Sequence, residues 1–127
     1  MPAPGFRVTA LSVDGGCLLT VEGELDLAVA DEFRDELMRA VALDGQRIVL
    51  DLSGCEFLDS TGLEVIVRAA NHPTDGDQRM RLVSADGQIR RLIEFTGTDR
   101  VVALFATRED ALADIADDGS GVYPETA

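Results

Sequence analysis

The hydrophobic positions of this chain follow two periods, and the switches between them mark its elements. Phe6, Val8, Ala10, Leu11 and Val13 suggest a first strand, and Asp14-Gly15-Gly16 a hairpin turn. Cys17 to Val21 then returns antiparallel, and Gly23-Glu24-Leu25-Asp26 reads as a polar exit. From Leu27 to Ala42 the period becomes helical. Val29, Phe33, Leu37 and Val41 recur every fourth residue, with Asp31, Glu32, Arg34, Asp35, Glu36 and Arg39 on the other side. Asp44-Gly45 stops that helix, and the near-continuous apolar run Arg47 to Leu52 reads as a parallel strand covered on both faces.

A loop from Ser53 to Asp59 leads to a second helix with Leu63, Ile66, Val67 and Ala70 on one face, and Pro73 to Gln78 is a breaker-rich loop. Met80 to Ser84 is the next strand. Gln88 to Phe95 is a short helix with Ile89, Leu92 and Ile93 inward, broken by Gly97. Val101 to Phe105 forms a last strand. Thr107, with Asp110 three residues on, caps a final helix whose Ala111, Leu112 and Ile115 face the core. The order β-β-α-β-α-β-α-β-α predicts an α/β fold: a mixed, mostly parallel β-sheet packed with about four α-helices. Residues 1–116 form a single domain in this reading, and residues 117–127 a flexible acidic tail.

Composition narrows the function. The 127 residues carry a formal net charge of −13, and every basic residue is an arginine. So acidic a surface is repelled by nucleic-acid backbones and by anionic membranes, so neither is expected as a partner. The missing lysine excludes a P-loop of the G-x-x-x-x-G-K-[ST] type and Schiff-base chemistry. It also weighs against a phospho-accepting receiver domain, which has this size and pattern but relies on a lysine near its acidic pocket. At 46% hydrophobic residues, the chain is too apolar to be a disordered acidic segment.

The start Met1-Pro2-Ala3-Pro4-Gly5 lacks the basic and apolar regions of a signal peptide, and the longest apolar run, Val101–Ala106, falls far short of the about 18 residues a spanning helix needs. The expectation is a cytoplasmic protein. Cys17 and Cys55, with a single histidine, cannot make a structural zinc site. On neighbouring parallel strands they would lie some 20 Å apart, beyond the about 7 Å a disulfide allows, so both are expected as reduced thiols. The Asn71–Gln78 loop holds His72 and two aspartates, Asp75 and Asp77, too few for a calcium site. No G-x-S-x-G elbow is present, so no hydrolase triad is expected. No metal, cofactor or enzymatic activity is expected. Arg90 and Arg91 read as a solvated face, with a partner contact as the alternative.

The most informative stretch is Asp51-Leu-Ser53-Gly-Cys-Glu-Phe57-Leu-Asp59-Ser60-Thr61-Gly62-Leu63, which leads from a buried strand to a helix start. Asp59, Ser60 and Thr61 are all competent N-caps, and Thr61 with Glu64 has capping-box spacing. Gly62 in a first turn costs about 1 kcal/mol against alanine, which makes sense where another backbone or a ligand must come close. A phosphate on Ser60 would add about −1.5 to −2 charges beside the positive end of the helix dipole, a tolerated place. It would alter a surface rather than unfold the domain.

The pattern D-x-S-x-x-x-F-x-D-S-x-G-L resembles the signature of STAS-domain anti-sigma factor antagonists. Gly23-Glu24-Leu25-Asp26 is similar to the G-E-L/I-D before their first helix, and Leu92 to Arg100 to their later L-x-x-x-T-G segment. The likeness covers roughly residues 6 to 116 and implies a STAS-like sheet and a partner switch. In that family the unphosphorylated antagonist binds an anti-sigma factor, usually a serine kinase, and so frees a sigma factor. Phosphorylation of the serine, here Ser60, releases the partner, and a phosphoprotein phosphatase restores binding. The resemblance implies a docking patch of Asp26, Asp59, Ser60, Thr61, Gly62 and Leu63, with Thr61 as the competing acceptor. A second reading is a STAS subunit of another assembly, a stressosome or a lipid-transport ABC system, acting as a scaffold. The oligomeric state is left between monomer and weak dimer.

Overall fold

The computed structural model describes residues 5–42, 47–71 and 80–119, including the backbone but not the side chains of 117–119. The elements are β1 (Arg7–Val13), β2 (Gly16–Leu25), α1 (Ala30–Val41), β3 (Arg47–Leu58), α2 (Ser60–Ala70), β4 (Met80–Val83), α3 (Gly87–Phe95), β5 (Ala103–Phe105) and α4 (Arg108–Gly119), with 3-10 turns at Leu27–Val29 and Thr98–Arg100. The strands lie in the order β1-β2-β3-β4-β5. β1 is antiparallel to β2, and the remaining pairs are parallel. This is the mixed, mostly parallel sheet with four α-helices that the periodicity predicts.

Period-2 alternation in the central strands divides the apolar residues between two faces. Leu19, Leu50 and Leu82 point to one side and join Phe33 and Leu37 of α1, Ile66 of α2 and Ile93 of α3 in the main core. Leu18, Val49 and Val83 point to the other, where α4 covers them with Ala111 and Ile115. Two charged strand residues also face α4. Asp51 Oδ2 accepts from Arg108 Nε at 2.7 Å and lies 2.7 Å from its Nη2. Arg81 Nε donates to Asp114 Oδ2 at 2.7 Å. Burial alone would push the Asp51 carboxyl up, but hydrogen bonds from Ser53 and Arg108 outweigh it and hold the group below the ordinary carboxylate range.

Several boundaries differ from the pattern. β2 continues through Gly23-Glu24-Leu25 and β3 through Ser53–Leu58, because these polar stretches pair with each other: Glu22 with Gly54, Gly23 with Cys55, Glu24 with Phe57 and Leu25 with Leu58. Gly23 holds φ +95, and a Cβ there would lie 2.2 Å from the Gly5 carbonyl oxygen, so only glycine lets the incoming chain cross. The first helix opens as a 3-10 turn before α1 begins at Ala30. On α2, Val65 and Ala69 are buried beside Leu63 and Ile66, whereas Val67 and Ala70 are half-buried. Contact with α1 as well as the sheet rotates the buried arc. β5 starts only at Ala103, because Val101 and Val102 donate their N–H groups to the Thr98 carbonyl in the preceding 3-10 turn.

α4 runs to Gly119, three residues past the expected domain limit. The chain turns polar after Ile115, which is why the sequence reads as ending sooner. Thr107 caps this helix as expected, its hydroxyl accepting from Asp110 N–H at 3.2 Å. Arg90 is half-buried rather than fully solvated: its Nη1 donates to the Ser84 carbonyl at 2.8 Å and ties α3 to the end of β4, while Arg91 is exposed. The two cysteines are buried free thiols, Cys17 opposite Ile48 and Cys55 opposite Gly23 in one register. Asp44-Gly45, His72 and the rest of the loop through Gln78, and the tail beyond Gly119 lie outside the described residues.

Candidate functional site

Parallel pairing of β2 with β3 ends at Leu25 and Leu58, so the next residue of each strand, Asp26 and Asp59, leaves the sheet at the same edge. The two exits are tied by the Asp59 N–H, which donates to the Leu25 carbonyl at 3.4 Å. Each aspartate then starts a helix. Asp26 accepts from the Ala28 N–H at 3.0 Å, and Asp59 accepts from the Gly62 N–H at 3.0 Å. Of the candidate caps for α2, the structure selects Asp59. The Thr61–Glu64 capping box does not form, since Glu64 instead pairs with Arg68 at 3.0 Å.

Asp59 as cap leaves the neighbouring serine without that duty. Ser60 is the first residue of α2 and is exposed. Its hydroxyl makes no hydrogen bond with any described residue. It stands at the positive end of an 11-residue helix whose opening amides favour an added anion. Thr61 is half-buried and lines a shallow groove with Leu27, Asp31, Arg34, Glu64 and Arg68. The ion pairs Arg34–Asp31 and Arg68–Glu64, both 3.0 Å, give this groove both signs of charge.

Gly62 and Leu63, expected in the same docking patch, are buried beneath the surface that Ser60 and Thr61 present. A Cβ on Gly62 would lie 2.8 Å from Leu25 Cγ, 3.0 Å from the Leu25 carbonyl oxygen and 3.0 Å from Leu58 Cδ1. The close neighbour this glycine admits is therefore the end of β2 itself. Leu63 is 4% exposed and belongs to the main core. Asp26, Asp59, Ser60 and Thr61 are brought together at one sheet edge.

Two apolar side chains missed by the pattern stand at this edge. Leu27 is 74% exposed and Phe57 48%. The signal for Leu27 was present, since it falls outside the Val29-Phe33-Leu37 stripe. Phe57 was hidden because its stretch reads as a loop. Among the described residues no group of three or more histidine, cysteine or acidic side chains is arranged to hold a metal ion. No described helix is long and apolar enough to cross a membrane.

Comparison with known proteins gives this edge a context. The STAS domain family model matches residues 7–111. The anti-sigma-F factor antagonist RsfB of Mycobacterium tuberculosis is 32% identical over 116 residues, 91% of this chain and 94% of that protein. The anti-sigma-F factor antagonist RsfA of the same organism is 26% identical over 110 residues, 85% of this chain and 86% of that protein. The crystal structure of an anti-sigma factor antagonist from Mycobacterium paratuberculosis superposes with a TM-score of 0.83 at 29% identity, covering 92% of this chain and 100% of that one. With the sheet order, the paired aspartate exits and a family match spanning most of its length, this chain belongs to the STAS domain family.

Proposed function

We propose that this protein is an anti-sigma factor antagonist: a cytoplasmic regulatory binding protein, not an enzyme, that works by partner switching. Unphosphorylated, it binds an anti-sigma factor of the serine-kinase type and thereby releases a sigma factor. Phosphorylation of Ser60 ends that binding, and a phosphoprotein phosphatase restores it. The observation that carries this reading is the state of Ser60, exposed and unbonded among the described residues while its neighbour Asp59 does the capping. Relatives named as anti-sigma-F factor antagonists, matched over 91% and 85% of the chain, support it. Half-buried Thr61 is the poorer acceptor, because a kinase must reach the hydroxyl from solvent.

A dianion added at the first turn of α2 meets favourable amide dipoles, so the fold tolerates it. A partner packed over the exposed Leu27 and Phe57 would instead have to desolvate that charge, and binding would be lost. The test is to incubate the protein with its candidate anti-sigma kinase and ATP and to locate phosphate by mass spectrometry. Ser60→Ala should abolish labelling and Thr61→Ala should leave it intact. Labelling of Ser60→Ala equal to the parent overturns the assignment. Ser60→Asp should weaken binding to the anti-sigma factor; unchanged affinity points to the scaffold reading instead.

A further inference from the structure

The two edges of the sheet are unequal. β5 is three residues long, and shortness is one of the ways natural sheets blunt an edge. β1 at the other edge is seven residues, and its register with β2 runs unbroken from Arg7–Glu22 to Val13–Gly16. It has no proline, no bulge and no inward charge. Its one charged residue, Arg7, stands at the end and lies 3.5 Å from Glu22 of β2. Thr9, Ala10, Leu11 and Ser12 are all exposed, Leu11 to 58%. On the outer side, alternate residues turn N–H and C=O groups away from β2.

We propose that this edge pairs with the β1 strand of a second copy, antiparallel about Ala10, to form a continuous ten-stranded sheet across a two-fold axis. The strand is complementary to itself in that register. Val8 falls opposite Ser12 of the second copy and Thr9 opposite Leu11, so the two exposed leucines meet diagonally across the axis on one face. Arg7 falls opposite Val13 and beside Asp14 of the second copy's turn, which places unlike charges at both ends. A strand-edge contact is smaller than a standard interface, so the dimer is weak. The charge of −13 on each copy opposes association, but beyond the about 8 Å Debye length it is screened, so added salt tightens the dimer.

The inference is independent of the antagonist reading and adds to it. β2 separates β1 from β3, which leads into Ser60, so pairing leaves both docking edges open. The dimer is then bivalent toward any partner that is itself dimeric.

The experiment is sedimentation equilibrium of the full chain from about 1 to about 300 μM, in about 0.15 and about 0.5 M sodium chloride. A reversible monomer–dimer equilibrium, tighter at high salt, is expected. Ala10→Pro removes an edge donor and Leu11→Lys adds the charge that edges normally carry; each should be monomeric throughout with an unchanged far-ultraviolet circular dichroism spectrum. Leu11→Lys decides if Ala10→Pro fails to fold. Arg7→Asp and Asp14→Arg should each weaken self-association about threefold, and their mixture should restore it. Phe95→Ser, at the 90% exposed residue of α3, should dimerise normally. A parent that stays monomeric at all concentrations overturns the proposal. So does a folded Leu11→Lys that still dimerises, or a Phe95→Ser that does not.

Discussion

The α-carbon of Gly62 packs so closely on Leu25 that a methyl group there would lie 2.8 Å from Leu25 Cγ and 3.0 Å from its carbonyl oxygen. The first turn of α2 thus rests on the last residue of β2, and the height of Ser60 above the sheet is set by that contact. Gly62→Ala gains about 1 kcal/mol of helix propensity but forces apart a carbonyl and two leucines, a cost of about 1–3 kcal/mol. A net loss of about 1 kcal/mol is expected in urea denaturation. A more stable Gly62→Ala variant would show that the turn lifts away freely.

Neighbouring residues 59 and 60 should separate cleanly by mutation. Asp59→Ala loses the bond to the Gly62 N–H and should cost about 1 kcal/mol. Ser60→Ala removes a hydroxyl without a partner among the described residues and should stay within about 0.5 kcal/mol of the parent. Equal losses in chemical denaturation would mean that Ser60 shares the capping.

Asp51 makes the fold sensitive to acid. Its carboxyl titrates below the ordinary range, because hydrogen bonds from Ser53 and Arg108 outweigh the effect of burial. A depressed group contributes stability that is present above its unfolded value of about 3.9 and is lost as pH falls through the folded one. Asp51→Asn should therefore flatten the fall in stability below about pH 4, read as melting temperature against pH. Arg108→Met leaves the carboxylate buried without its guanidinium and should cost about 1–3 kcal/mol at neutral pH.

Both thiols should be silent in the native protein. Burial pushes Cys17 and Cys55 up, which lowers the reactive thiolate fraction, and access is closed. Maleimide labelling at neutral pH should follow the denaturation curve. Rapid labelling of the folded chain would show local opening of the sheet.

Much of this was legible in the residues. The Val29-Phe33-Leu37 stripe and the apolar runs around Leu50 and Leu82 report burial directly, and burial is what the helices and central strands share. The D-S-x-G-L stretch pointed to the candidate site. The β2–β3 extension was illegible because Gly23-Glu24 and Ser53-Gly54 become strands only through each other. Nor could the sequence say that Gly62 and Leu63 lie beneath the patch, since their spacing fits either side of a helix. Which of three adjacent cap residues would serve was decided by where the strand ends, a tertiary fact.

Two ion pairs fix where α4 lies on its face of the sheet. Asp51 on β3 meets Arg108 at the start of α4, and Arg81 on β4 meets Asp114 midway along it. Each pair is partly shielded from water, with Asp51 and Arg81 buried, so losing either would cost more than losing a surface ion pair. The two-residue link from β5 already fixes which end of α4 comes first, so what the pairs add is register. Opposite signs on two neighbouring strands hold the helix at one position along and across the sheet, where a slide or a rotation would part both pairs.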